Sequence, residues 1–308
     1  EARSAVYLAD AGAPTDPLRI LHDHGCRRFR VRLFVDPSDD FNHTWGAVQD
    51  LKQVRALCRR IGDLGAEILL NLHYSDSWAD PAQQSTPSRW SDLNLDELVS
   101  AVYDYTSDTL SVLREDGVVP SAVQIGNEIA GGMLWPLGKI EGAAGSGERE
   151  ASLGRLAALL NAGARAVRKA STPENPIRVV LHVHGGGQRA VAPWFFGEMV
   201  RLGVDFDVAA VSFYPRWNEQ IDVLSDNLAR LVKVSGREVM LAEVGYPASD
   251  ISPWIEHPEA MRWPQSPEGQ ALFLDDLNAL VRSTPGCVGW YWWYPEAIPI
   301  EGVHIYEG

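Results

Sequence analysis

Two glutamates close apolar, strand-like runs: Glu128 in VQIGNEI and Glu243 in MLAEVGYP. A glutamate is ordinarily a solvated surface charge, and that default weakens where the residue caps a buried run. Two such carboxylates, carried on nonadjacent strand ends that a closed sheet can bring face to face, suit cleavage of a glycosidic bond. One protonates the leaving oxygen, and the other attacks the anomeric carbon or activates water. A separation of about 5–5.5 Å would retain the anomeric configuration and about 6.5–9.5 Å would invert it. Asn127 beside Glu128 offers a hydrogen bond to a sugar hydroxyl, and Arg30 offers a charge to hold Glu243 ionised. Gly126, Gly131 and Gly132 let the backbone turn beside a sugar.

Positioning these groups is the task of the elements around them. Runs of strand length occur at 28–34, 67–74, 122–128, 178–184, 206–214, 238–244 and 288–293. Between them, 51–65, 95–115, 153–170, 223–236 and 268–283 keep apolar residues three and four apart, as amphipathic helices do. Strand alternating with helix predicts parallel βα units, and seven strands in series predict an α/β fold of the (β/α)8 TIM barrel class, with residues 1–308 as one catalytic domain. The longest irregular stretches, 75–93 and 131–148, both follow strands, which in a barrel places them on the catalytic face.

Residues two apart on a strand share a face. One face collects polar groups: Arg30 and Arg32, Asn71 and His73, Gln124 and Glu128, His182 and His184, Ser212 and Tyr214. The other stays apolar, as in Phe29, Val31 and Leu33, or Val179, Leu181 and Val183. Helices should cover the apolar face and leave the polar one to converge in the barrel mouth. Burying unpaired charge is costly, so a purely structural barrel has little reason to gather it there.

Other chemistries compete for the same residues. His182, His184 and His73 suggest a metal site, but no carboxylate has the usual spacing beside the pair, so neither metal nor cofactor is expected. His22 and His24 in HDHG read as a solvated helix end. Trp78, Trp90, Trp135, Trp217, Trp254, Trp263 and Trp293 could stack sugars without hydrolysis, as in a carbohydrate-binding barrel; the matched carboxylates argue against that reading. About half of the eleven Trp are expected in the core.

Asp and Glu outnumber Lys and Arg 41 to 27, a formal charge of −14, which disfavours nucleic acid and favours a neutral substrate. Cys26, Cys58 and Cys287 have neither disulfide nor zinc spacing and read as buried thiols. No apolar run has the length of a membrane span, and the opening EARSAVYLAD has no signal-peptide character. The expected partner is a β-linked oligo- or polysaccharide, with no membrane or nucleic acid, and the expected oligomeric state is a monomer.

With these residues in view, the chain resembles a known family. GNEI..G.LWP.G over 126–138 and HYSDSWADPAQQSTPSRW over 73–90 look like signatures of the arabinogalactan endo-β-1,4-galactanases, glycoside hydrolase family 53. ILHDHG before RVRLFVDP, LAALLNAGARAVR, VSFYPRW, SPEGQALFL and the Trp-rich final strand follow in the family's order. The resemblance implies a retaining clan A barrel, with Glu128 as acid/base after the family's fourth strand and Glu243 as nucleophile after its seventh. It implies that Arg30 and Tyr214 neighbour the nucleophile. His73, Trp78, Asp80, Asn127, Trp135, His182, His184, Trp217 and Trp293 would line the sugar subsites. Secretion is expected from what such enzymes digest, with a cytoplasmic location as the alternative.

Departures bear on specificity rather than on the catalytic pair. His184 and Gly185 stand where the family has Asp and Asn, Val244 where a Thr follows the nucleophile, and Tyr294 where a Glu is usual. Polar contacts of this kind discriminate epimers, which keeps open a different β-linked glycan, or exo action. The family's first strand and last helix have no counterpart in the sequence, which suggests trimming; otherwise Val6–Ala9 would serve as a poor first strand.

Overall fold

Arg30 and Glu243, far apart along the sheet order, meet at 2.8 Å, and only a curled sheet allows that. In a computed structural model describing residues 6–10, 12–38, 49–217, 220–250 and 261–295, seven strands form one parallel sheet in sequence order. They are β1 (Arg28–Leu33), β2 (Glu67–Leu72), β3 (Ala122–Ile125), β4 (Arg178–Val183), β5 (Val208–Phe213), β6 (Glu238–Val244) and β7 (Cys287–Trp292). Helices α1 (Pro17–Asp23), α2 (Leu51–Asp63), α3 (Leu95–Glu115), α4 (Gly147–Ala170), α5 (Val191–Arg201), α6 (Ile221–Ser235) and α7 (Pro267–Ser283) alternate with them. Parallel neighbours require such crossovers. Among the described residues no helix is long and apolar enough to cross a membrane.

Local chemistry sets the helix starts. Asp50, Ser146 and Ser266 accept backbone N–H groups at the first turns of α2, α4 and α7, and Asn94 with Glu97 forms a reciprocal capping box on α3. At the other end of α6, Gly236 takes the left-handed conformation with φ of 62°. The periodicity over 95–115 matches α3 to the residue. The sequence reading missed α5, which carries Pro193 and Gly197 internally and has no side-chain cap, so it lacks the usual start signal. Val6–Ala9 contributes no strand to the sheet; Leu8 makes one antiparallel bridge with Pro14.

The predicted alternation of faces appears as two cores. Outward-facing Phe29, Val31, Leu33, Leu70, Val123, Val179 and Leu181 pack beneath the helices in the large core. Leu69, Ala122, Val180, Val208, Ala210, Met240 and Ala242 fill the barrel floor as a second, inner cluster. The polar residues lie above that floor, toward the C-terminal strand ends. β7 ends the sheet order and is half-buried at all six positions, whereas β3 and β5 are buried throughout. Trp90 and Trp263 are buried core side chains, not sugar platforms. Cys58 is buried as expected, while Cys26 and Cys287 are only half-buried. Trp254 and the C-terminal segment 296–308 lie outside the described residues.

Candidate active site

Strict alternation along β6 would turn Glu243 outward with Val239 and Leu241. A bulge prevents this: Val211 pairs with Leu241 and Ser212 with Glu243, leaving Ala242 unpartnered on β5. Ala242 belongs to the inner floor, and Glu243 follows it into the interior. A bulge re-aims side chains in this way because the extra residue breaks the two-residue period. Glu128 reaches the same space differently. It follows β3 with φ of 52°, a left-handed backbone that is strained for a residue with a Cβ, after Gly126 at φ of 77°. A Cβ on Gly126 would lie 2.7 Å from Cγ2 of Ile129, so only glycine fits.

The two carboxylates have opposite settings. Arg30 donates from Nη1 to Glu243 Oε1 at 2.8 Å, and Tyr214 donates its hydroxyl to Oε2 at 2.9 Å. The side chains of Arg30 and Glu243 are only 6% and 8% exposed, so this ion pair is largely out of water. Glu128 has no cation at contact distance among the described residues. Its Oε1 accepts from the Ser212 hydroxyl at 2.6 Å. Burial, and then the charge of Glu243, raise the Glu128 carboxyl well above the ordinary range, against the opposing pull of Ser212 and Arg30. Burial and the two carboxylates likewise push the Tyr214 phenol up, so it remains a donor.

A buried polar layer supports both. Arg30 also donates from Nε to Gln124 Oε1 at 2.9 Å and from Nη2 to Asn127 Oδ1 at 2.7 Å. Gln124 donates to Asn71 Oδ1 at 2.8 Å. His182 is hydrogen-bonded through Nε2 to Ser212 at 2.9 Å and through Nδ1 to the Gln124 and Asn127 side chains. Burial, reinforced by Arg30, lowers the His182 pKa well below that of a free imidazole, which leaves the ring neutral. Asn127 is spent on the protein at both ends, since its Nδ2 donates to the Ala79 carbonyl.

The remaining predicted residues divide between walls and rim. His73 is buried against the edges of Phe34 and Trp78; its Nδ1 accepts from the Ala79 amide at 3.2 Å, and its Nε2 has no partner among the described residues. Asp80 uses Oδ1 to accept the Ala82 and Gln83 amides, closing its own turn. His184 is half-buried, with its Nδ1 enclosed and without a partner among the described residues. Trp293 stands edge-on to Tyr214, with Tyr294 packed on it at 4.7 Å. Trp135 carries Lys139 over its ring and donates to the Gly131 carbonyl. Trp217 is 48% exposed beneath Arg216.

Gln84, which the sequence reading did not single out, ties the long loops together. It donates to the Asn127 carbonyl at 2.7 Å, and its own carbonyl accepts from the Trp135 amide at 2.7 Å. Thr86 donates to the Trp135 carbonyl, so 75–93 and 131–148 form one wall. No periodic signal marks Gln84, because its partners come from another loop. Ser212 was visible on the polar face but not as the partner of Glu128. Among the described residues no group of three or more His, Cys, Asp or Glu is placed to hold a metal ion.

The model of Glycosyl hydrolase family 53 matches residues 1–308. An arabinogalactan endo-β-1,4-galactanase of Cellvibrio japonicus is 35% identical over 302 residues, which are 95% of this chain and 76% of that protein. The catalytic domain of the same family from Ignisphaera aggregans superposes with a TM-score of 0.84 at 30% identity, covering 95% of this chain and 80% of that one. A solved fungal β-1,4-galactanase superposes with a TM-score of 0.83 at 30% identity, covering 94% and 84%.

Proposed function

The chain belongs to glycosyl hydrolase family 53, and from that premise we propose that it cleaves β-1,4-galactan internally by double displacement, with Glu128 as acid/base and Glu243 as nucleophile. The observation that carries the assignment is the contrast between the carboxylates. One is paired with Arg30 and Tyr214, whereas the other is half-buried, pushed up in pKa and bound by a lone hydroxyl. Environments that separate two carboxyl pKa values divide the acid role from the nucleophile role.

In the first step Glu128 gives its proton to the glycosidic oxygen while Glu243 bonds to the anomeric carbon. The leaving sugar departs as an alcohol. Formation of that ester removes the negative charge that raises Glu128, so its pKa falls and it becomes the base for the incoming water. Attack of water then releases the sugar and restores both groups. Tyr214 and Arg30 hold the Glu243 carboxylate in place and receive its charge back at the end.

The galactan substrate is supported by the galactanase relatives of Aspergillus terreus and Cellvibrio japonicus. A different β-linked glycan is the second reading, favoured by the enclosed Nδ1 of His184, which has no partner among the described residues. We further propose a single catalytic domain over residues 1–308, acting outside the cell as a monomer on a polymer too large to enter. Incubation of wild type, Glu128→Ala and Glu243→Ala with β-1,4-galactan and a panel of other β-linked glycans tests the proposal. Galacto-oligosaccharides from wild type alone support it. Cleavage of another glycan, lost in both variants, moves the specificity. Activity that survives both substitutions overturns the assignment.

A further inference from the structure

Arg32 lies two residues beyond Arg30 on β1, on the same face and one layer nearer the barrel mouth. It is 7% exposed, yet among the described residues no carboxylate pairs with it. Its guanidinium is held between two aromatic rings, with the central carbon 4.5 Å from the Trp78 ring and 4.7 Å from the Tyr294 ring. Its Nε donates to Gln49 Oε1 at 3.0 Å. Its two terminal nitrogens have no acceptor among the described residues, and its position on β1 lies toward the C-terminal strand ends, where the carboxylates are. Arg30, Arg55 and Arg168 each meet a carboxylate at 2.8 Å or less.

The aromatic faces stabilise the cation from above and below and prevent it from rotating. They do nothing for the in-plane N–H edge, which is the part that recognises a carboxylate through parallel hydrogen bonds. A sugar hydroxyl would fill one donor and leave the charge uncompensated. We propose that Arg32 reads a carboxylate on the substrate: the cleft accepts a saccharide bearing a uronic acid residue next to the bond that is cleaved. The inference rests on the glycosidase reading of this cleft and adds the class of sugar it takes. Trp293 and Tyr294 connect the two places, since Trp293 lies against Tyr214, which holds Glu243, and Tyr294 covers Arg32. The net charge of −14 opposes an acidic ligand at long range. Salt screens that repulsion beyond about 8 Å, whereas a contact at a rigid, nearly buried guanidinium is screened far less.

Binding to the Glu128→Gln protein, followed by NMR titration, tests this without relying on turnover. The probes are galacturonate against galactose and glucuronate against glucose. A charge-assisted pair predicts that at least one acid binds about tenfold or more tighter than its neutral partner. The advantage should persist in about 0.5 M NaCl, because salt relieves the long-range repulsion and screens the buried contact little. It should disappear in the Arg32→Gln form and return in part in Arg32→Lys, which keeps the charge but loses the fork. Equal binding of acid and neutral sugar in both pairs overturns the proposal, as does an advantage that survives Arg32→Gln. Should Arg32→Gln fail to fold, the Arg32→Lys form decides: an advantage undiminished in it overturns the proposal. Hydrolysis of neutral galactan by wild type is read separately, and its failure would count against the galactanase reading alone.

Discussion

The Ser212 hydroxyl donates to Oε1 of Glu128 at 2.6 Å, and Ser212 is at the same time the register partner of Glu243 across β5 and β6. One residue thus stands between the two carboxylates, bonded to one through its side chain and paired with the other through its backbone. Its donation stabilises the charged form of Glu128 and opposes the rise that burial and Glu243 impose. Replacing Ser212 with Ala removes that opposition. Glu128 should then hold its proton to higher pH, and the alkaline limb of kcat/KM should move up by about one pH unit, the worth of one hydrogen bond to a charged group. A limb that stays in place or moves down would show that Ser212 does not bear on the acid.

Removing the charge at position 243 acts on Glu128 in the opposite direction. In Glu243→Gln the second-largest cause of the raised pKa is absent, so the Glu128 carboxyl should titrate lower than in wild type. Carbon-13 NMR of labelled Glu reads this directly. An unchanged titration would mean that the two groups are not electrically joined, and a glycosyl-enzyme could not convert the acid to a base.

Chemical rescue separates the two roles. Glu128→Ala should lower turnover of unactivated substrate by about 10²–10⁴-fold, the usual contribution of a positioned acid/base. Azide should restore turnover of an activated aryl glycoside by Glu128→Ala with the β configuration retained, because the glycosyl-enzyme still forms. With Glu243→Ala, azide should attack directly and yield the α product. Exchange of these two outcomes would reverse the assignment.

Arg30 is the buried counter-charge of Glu243 and also a donor to Gln124 and Asn127. Arg30→Met leaves a carboxylate in the interior without its cation, which costs about 3–5 kcal/mol where a pair is this buried. Urea denaturation should register that loss at neutral pH. The loss should lessen at acid pH, where Glu243 can take up a proton. An equal loss at both pH values would assign the effect to packing instead.

His73 and His182 predict a stability profile. Burial first, and then neighbouring arginines, lower the pKa of both rings in the folded state. Above the unfolded value of about 6.5 both states hold neutral rings, and these groups give no pH dependence. Below it the unfolded chain takes up protons that the folded chain refuses, so stability falls as pH falls, by up to about 1.4 kcal/mol per pH unit for each ring. Wild type should therefore lose denaturant resistance from pH 6.5 downward, and His73→Gln should show a shallower slope. A slope unaltered by that substitution would remove His73 from the explanation.

Much of this was determined by the sequence alone. Hydrophobic period specifies strand or helix locally, so β1 to β7 and most helices were legible, as was the face on which Arg30, Asn71, Gln124 and His182 converge. The same local signals placed Glu128 and Glu243 at strand ends. Tertiary structure decided the rest, because it depends on partners remote in the chain. The bulge that turns Glu243 inward is a mismatch between β6 and β5, which neither strand encodes by itself. The hydroxyl on Glu128 comes from β5, and the acceptor on Gln84 from the loop beyond β3. Arg32 looked like one more polar residue on a converging face; that it lies between two rings, with no counter-charge among the described residues, follows from where Trp78 and Tyr294 fold onto it. A side chain's type and face are written locally, whereas its burial, its charge partner and hence its proton affinity are properties of the assembled interior.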